Sequence, residues 1–299
     1  MKVELISGGI KYSKIIAGVM KWGVWGANLS GTAVEKMIHQ CINLGVTTFD
    51  HADIYGHYTT EKLFGKTLKN NPSIRSQMQL ITKCGINLVT PNRPSYKIKS
   101  YNTSKKHIIY SVEQSLKNLE TDYIDLLLIH RPSPLMNPSE IAEAFLQLKN
   151  SGKVRDFGVS NFTPMQFEML HHFFPLSTNQ VEVSIQHTQP IVDGTFDQAL
   201  KLAYKPMAWS PLGGGAIFGK NSENSEAIKK ATISLQEKYN AGLDQILLAW
   251  LMKHPAKILP VLGTSKANRI AAAVKSLEIS LTNEEWFGLL EAAKGREVA

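Results

Sequence analysis

Three ionisable side chains stand at or just beyond the ends of three successive apolar runs. Tyr55 follows Val46-Thr47-Thr48-Phe49-Asp50, Lys83 closes Leu80-Ile81-Thr82-Lys83, and His130 closes Leu126-Leu127-Leu128-Ile129-His130. An ammonium beside a phenol favours the phenolate and lowers its pKa, and a carboxylate paired with that ammonium keeps it charged and oriented. With Asp50 as that carboxylate, Tyr55 reads as a general acid/base that gives a proton to a developing alkoxide or takes one back. Each residue also has a plain reading. Asp50 and Lys83 would make a structural salt bridge, and a lone His after an apolar strand is ordinarily a core residue. The turn expected at Arg131-Pro132 favours an imidazole that faces a site and orients a carbonyl.

Asp50-His51-Ala52-Asp53 also resembles a metal-ligand spacing, to which His130 could add a ligand. The further carboxylate and imidazole partners of a metal-dependent barrel hydrolase are missing, so no metal is expected. Two other segments suit an anionic cofactor. Trp209 precedes Ser210-Pro211-Leu212-Gly213-Gly214-Gly215, where an indole can stack on a planar ring and glycines let backbone amides approach phosphates. Gly263-Thr264-Ser265-Lys266-Ala267-Asn268-Arg269 opens a helix, and its amides, hydroxyls and two cations converge on the helix amino end, where phosphate binds readily.

The elements that must position these residues repeat along the chain. Short β-branched runs at 15–19, 46–49, 79–83, 124–130, 154–160, 178–183, 205–209 and 258–262 read as strands. Amphipathic patterns between and after them read as helices at 33–44, 60–68, 105–119 with Thr103 as N-cap, 138–150, 164–172, 195–203, 244–253 and 266–276. Eight such alternations predict an α/β fold, a single (β/α)8 TIM barrel over residues 1–299, with its site at the carboxyl ends of the strands. An N-terminal β-hairpin around Ser7-Gly8-Gly9 is expected to plug the barrel floor, and an extra C-terminal helix is expected over 282–293. Segments 86–101 and 212–225 are long enough to serve as binding loops.

Composition sets the surroundings. The 299 residues are 43% hydrophobic, enough for a large core, and no linker divides them. A net charge of +8 favours anionic cofactors, yet the 33 Lys and Arg are dispersed, which argues against nucleic acid as a partner. Cys41 and Cys84 read as two reduced thiols. No signal peptide and no run of the ~20 apolar residues that span a bilayer is present. A soluble, cytoplasmic chain with no membrane partner is expected.

Taken together, the motifs resemble those of the aldo-keto reductases, from about Ile15 to the carboxyl end. Phe49-Asp50-His51-Ala52-Asp53-Ile54-Tyr55-Gly56, Ile81-Thr82-Lys83, Ile129-His130-Arg131-Pro132 and Gly158-Val159-Ser160-Asn161-Phe162 occur in the family's order. The resemblance implies a catalytic tetrad of Asp50, Tyr55, Lys83 and His130. It implies a nicotinamide carboxamide held by Ser160, Asn161 and Gln180, a ring stacked on Trp209, and a pyrophosphate along Ser210, Leu212, Gly213 and Gly214. Gly263, Thr264, Ser265, Lys266 and Arg269 then surround the adenosine end, with Thr264 and Arg269 matching positions that grip a 2′-phosphate, so NADPH (NADP+) is the implied cofactor. Met20 falls near the cofactor, and Trp22 or Trp25 near the substrate.

Two departures from the family pattern stand out. His51 replaces a small residue, and Ala271-Ala272-Ala273 stands where many members place Glu-Asn against the adenine. Within the family, the combination of Phe49 to Gly56 and Met207 to Gly215 is similar to a bacterial oxidoreductase subgroup. The expected function is NADPH-dependent reduction of aldehydes or ketones, small-molecule carbonyls, by a monomer or weak oligomer. The alternative is an NADP(H)-binding redox-sensing or regulatory barrel with slow turnover. Specificity is expected in loops 86–101 and 212–225 and in the tail 295–299.

Overall fold

The structure, a computed structural model, describes residues 2–4, 9–219 and 223–298. Its strands in chain order are β1 (Lys2–Glu4), β2 (Lys11–Ser13), β3 (Ile16–Gly18), β4 (Thr48–Asp50), β5 (Gln79–Cys84), β6 (Ile86–Asn87), β7 (Ser100–Tyr101), β8 (Ile124–Ile129), β9 (Val154–Ser160), β10 (Asn179–Glu182), β11 (Met207–Trp209) and β12 (Leu259–Leu262). β3, β4, β5 and β8 to β12 close into a parallel eight-stranded barrel in sequence order, with β12 pairing back onto β3. All eight barrel strands lie at positions expected from the sequence.

Side-chain parity decides what each strand gives to the barrel interior, because neighbours along a strand face opposite sides. Ile16, Ile81, Leu126, Leu128, Met207, Leu259 and Val261 pack inside with Tyr12, while Leu127, Ile129, Phe49 and Leu80 join the layers between barrel and helices. β8 is buried along its whole length, as a strand covered on both faces should be. The hairpin β1–β2 lies below the barrel, and its Tyr12, fully buried, donates its hydroxyl to the Asp125 carbonyl at 3.3 Å. The turn around Ser7-Gly8 lies outside the described residues.

Helices follow the strands as expected, with three corrections. Ser104, not Thr103, caps helix Lys105–Leu119, its hydroxyl accepting from the His107 amide, while Thr103 is buried. Segment 86–101 is not a plain loop, since β6 and β7 pair antiparallel. Segment 212–225 is shorter than expected: a tight turn with Gly213, Gly214 and Gly215 at positive φ covers Gly213–Phe218, and a 17-residue helix, Glu223–Tyr239, begins inside it. Helix Asn283–Lys294, capped by Thr282, closes the fold against Glu223–Tyr239. No described helix is long and apolar enough to cross a membrane.

Two buried details make testable statements about stability. A Cβ on Gly65, in helix Thr60–Asn70, would sit 2.1 Å from the Asn118 carbonyl oxygen and 2.9 Å from Leu119 backbone, so Gly65 sets how closely neighbouring helices approach. Gly65→Ala is expected to cost about 1–3 kcal/mol by overpacking, read as a lower midpoint in urea unfolding. His51 is fully buried, meets the Phe64 ring edge-on at 4.5 Å between centroids, and has no hydrogen-bond partner on either ring nitrogen. Burial, and then the Lys83 charge, lower its pKa to about 3. The unfolded chain takes up this proton near pH 6.5 and the folded chain does not, so His51 makes stability fall as the pH drops from 6.5 toward 3, by up to about 1.4 kcal/mol per pH unit. His51→Leu should therefore show a shallower loss of urea midpoint between pH 7 and pH 5 than the parent; equal slopes would show that His51 does not titrate this way.

Candidate active site

Register places the chemistry. Asp50 pairs with Ile81, Gln180 with both Ser160 and Met207, and Glu182 with Trp209. Ile81 and Met207 face the barrel interior, so Asp50, Lys83, Ser160, Gln180 and Trp209 share that inward parity near the carboxyl ends of their strands. His130, one residue past β8 and two past inward Leu128, continues the series, and its amide donates to the Cys84 carbonyl at 2.9 Å. Tyr55 opens a tight turn, Tyr55–Tyr58, in which Gly56, His57 and Tyr58 all have positive φ, after a loop fastened by the amides of His51 and Asp53 to the carbonyls of Ile81 and Lys83.

Lys83 spends all three of its N–H donors. They reach Asp50 Oδ2 at 2.6 Å, the His51 carbonyl at 2.8 Å and the Tyr55 phenolic oxygen at 3.2 Å. Because the phenolic oxygen accepts from Lys83, the Tyr55 O–H remains to donate elsewhere, and it donates to no described residue. Asp50 is satisfied on both oxygens, Oδ1 accepting from Gln180 Nε2 at 3.0 Å. A chain of hydrogen bonds continues outward. Ser160 Oγ donates to the Gln180 carbonyl at 2.8 Å, Asn161 Nδ2 donates to Ser160 Oγ at 2.8 Å, and Trp209 Nε1 donates to Asn161 Oδ1 at 2.9 Å.

The protonation states follow from burial and charge. Burial raises the Tyr55 pKa above its ordinary value and outweighs the lowering by Lys83, which corrects the expectation that Lys83 would lower it. Burial pulls the Lys83 ammonium down, but Asp50 and Tyr55 more than offset it, so the lysine stays charged. Burial, Lys83, Arg131 and Lys99 hold His130 well below the usual imidazole range, so the ring is neutral. It meets the Tyr55 ring edge-on at 6.0 Å.

A cavity of about 750 Å³ opens above these residues. Of the residues expected in the site, Met20, Trp25, Asp50, Tyr55, His130, Ser160, Asn161, Gln180, Trp209, Ser210, Leu212, Gly214, Gly263, Thr264 and Arg269 line it. Lys83 lies beneath Tyr55, as its bond requires. Trp22 does not reach the cavity: it is buried against Phe49 and Phe64, and its Nε1 donates to the Thr264 carbonyl at 2.9 Å, bracing that loop from behind. Gly213, Ser265 and Lys266 are not in the lining either. Gly213 turns at φ +57° against Gln186, and the exposed Lys266 caps helix Ala267–Lys275 with its backbone, its amide donating to Thr264 Oγ1. The expected loops 86–101 and 212–225 contribute Ile86, Lys99, Tyr101 and Phe218, none of them singled out from the sequence, and sequence reasoning missed Ile54, Arg131, Asp244 and Leu248 as lining residues. Only loop length pointed toward Lys99 and Tyr101, and Arg131 was visible only as a turn residue.

Among the described residues no group of three or more His, Cys, Asp or Glu is placed to hold a metal ion. A Cβ at Gly215 or Gly263 would meet nothing within 4 Å, and one at Gly214 only Ser210 Oγ at 3.9 Å, so backbone there is open to a close-lying ligand.

Comparison with known proteins places this geometry. The family model described as "Aldo/keto reductase family" matches residues 14–293. An "Uncharacterized oxidoreductase YcsN" of Bacillus subtilis is 47% identical, with 97% of each chain covered. A "6-dehydroglucose reductase" of Agrobacterium fabrum is 39% identical, with 98% of each covered. The crystal structure of a thermostable aldo-keto reductase, Tm1743, in complex with the inhibitor epalrestat superposes with a TM-score of 0.80 at 26% identity, covering 98% of this chain and 99% of that one. An inward-facing Asp, Lys and His, a phenol bonded to the lysine and an open trough above them thus occur in a chain that belongs to the aldo/keto reductase family, a carbonyl-reducing oxidoreductase built as a (β/α)8 barrel.

Proposed function

We propose that this oxidoreductase reduces aldehydes or ketones to alcohols with NADPH, and that Tyr55 is the proton donor. The observation that carries the reading is the Lys83 hydrogen-bond set, which fixes the phenolic oxygen and leaves its proton directed elsewhere. The cavity fits the cofactor. Trp209 offers a face for the nicotinamide, the open backbone at Gly214, Gly215 and Gly263 accommodates phosphates, and Thr264 with Arg269 at the start of helix Ala267–Lys275 suits a 2′-phosphate. Ala273, Asp244 and Leu248 close the adenosine end, where a small residue stands in place of an adenine-gripping one.

When bound, the nicotinamide supplies the hydride that reaches the carbonyl carbon. Neutral His130 donates a hydrogen bond that orients the carbonyl oxygen without competing for its proton. Tyr55 gives its proton to that oxygen as negative charge develops there, and Lys83, held charged by Asp50, offsets the phenolate left behind. The phenolate regains a proton from solvent before the next turnover.

Tyr55→Phe is expected to lower kcat for a panel of aromatic and aliphatic aldehydes by at least about 10²-fold, while NADPH still quenches tryptophan fluorescence with a similar Kd. Wild-type rates in that variant would remove Tyr55 from the chemistry, and tight NADPH binding with negligible turnover by the parent would favour the regulatory reading. Arg269→Ala should raise the KM for NADPH by about tenfold or more and leave the KM for NADH nearly unmoved; parallel changes would place Arg269 away from the 2′-phosphate.

A further inference from the structure

The cavity carries positive charge that the reduction itself does not use. Lys99, just before β7, and Arg131, just after His130, line it together with Trp25, Tyr55 and His130. Neither side chain makes a hydrogen bond or ion pair with a described residue; the Arg131 guanidinium lies 5.7 Å from the centre of the Trp209 ring. The lining holds two carboxylates among the described residues. Asp50 is committed to Lys83 and Gln180, and Asp244 belongs to the start of helix Leu243–Met252, in the proposed adenosine end with Leu248 and Ala273. The charges of Lys99 and Arg131 act on His130, which puts both within electrostatic reach of the reacting carbonyl.

The exposed Lys99 and the part-buried Arg131, neither ion-paired to a described residue, raise the potential met by whatever enters this concave site, and an arginine fork matches the paired oxygens of a carboxylate or phosphate. Resting on the reductase reading above, we infer that the substrate is a carbonyl compound carrying an anionic group, a carboxylate or a phosphate ester, held by Lys99 and Arg131 while its carbonyl oxygen meets Tyr55 and His130. The anionic group takes no part in bond making. Hydride adds to the carbonyl carbon, the Tyr55 proton adds to the oxygen, and the charge on the far end is unchanged. Loop 86–101 is then a specificity element through Lys99, and the residue after His130 carries the second half of the clamp.

Matched pairs of substrates test this with the full-length enzyme and NADPH. Succinic semialdehyde is compared with butanal, and glyceraldehyde 3-phosphate with glyceraldehyde, so that carboxylate and phosphate are read separately. In at least one pair the anionic member should show a kcat/KM about tenfold or more above its neutral partner, carried by KM, and shrinking as salt is raised from 20 to 300 mM. Lys99→Gln and Arg131→Gln should each shrink that ratio by about tenfold, and Arg131→Lys should restore part of it. Equal use of both members in both pairs, or variants that lower both members alike, would overturn the inference and leave the reductase reading standing. Turnover of neither member of either pair, nor of any aldehyde in the broader panel, would overturn the reductase reading and this inference with it.

Discussion

The ion pair between Lys83 and Asp50 is the constraint around which the mouth of this barrel is built. Their side chains are 1% and 3% exposed, and withdrawing each charge from water costs several kcal/mol unless the geometry and the hydrogen bonds are complete. They are complete here: three donors of Lys83 find three acceptors, and two oxygens of Asp50 find two donors. Such a pair tolerates no vacancy, because removing either partner strands a buried charge. It therefore dictates its neighbours. Tyr55 must approach close enough to accept from Lys83, and Gln180 must cross the barrel from β10 to reach Asp50.

Gln180 shows how the tetrad is tied to the expected cofactor platform. From the sequence it reads as a residue that holds a carboxamide, yet its side-chain amide donates to Asp50, while its carbonyl accepts from Ser160. Through Asn161 the chain of bonds ends on the indole of Trp209. One continuous hydrogen-bonded path thus joins the ring proposed to stack on nicotinamide to the phenol proposed to donate the proton. Movement at either end is opposed by bonds that the other end needs.

The barrel, and the positions of Asp50, Tyr55, Lys83 and His130 near its strand ends, were legible in the sequence because each depends on a short-range signal. Strands announce themselves by β-branched runs, and once the register sets Asp50 beside Ile81, parity along β5 brings Lys83 to the same side. What was missed lacked such a signal. Helix Glu223–Tyr239 hides its buried stripe, since fully buried Thr232 sits between Ile228 and Leu235 and returns its hydroxyl to the Lys229 carbonyl, while apolar Ile233 faces solvent. Trp22 and Trp25 are the same residue type three positions apart, and only the surrounding backbone decides that one packs on Phe49 and Phe64 while the other edges the cavity. Thr103 and Ser104 are both good caps, and local sequence does not choose between them.

The electrostatics of Tyr55 give the site its direction. Lys83 alone would favour a phenolate, but burial costs more than the lysine returns, so the resting phenol keeps its proton. A proton donor needs that state at the start of the reaction and a stabilised anion at its end. Burial supplies the first and the fixed ammonium the second, without any group having to move. Burial first, and then the positive field of Lys83, Arg131 and Lys99, keeps His130 neutral, which leaves the imidazole a hydrogen-bond donor and not a competing acid. In the proposed reduction, negative charge growing on a carbonyl oxygen would thus meet donors and cations already in place, a preorganisation that a structural salt bridge beside a tyrosine would not need.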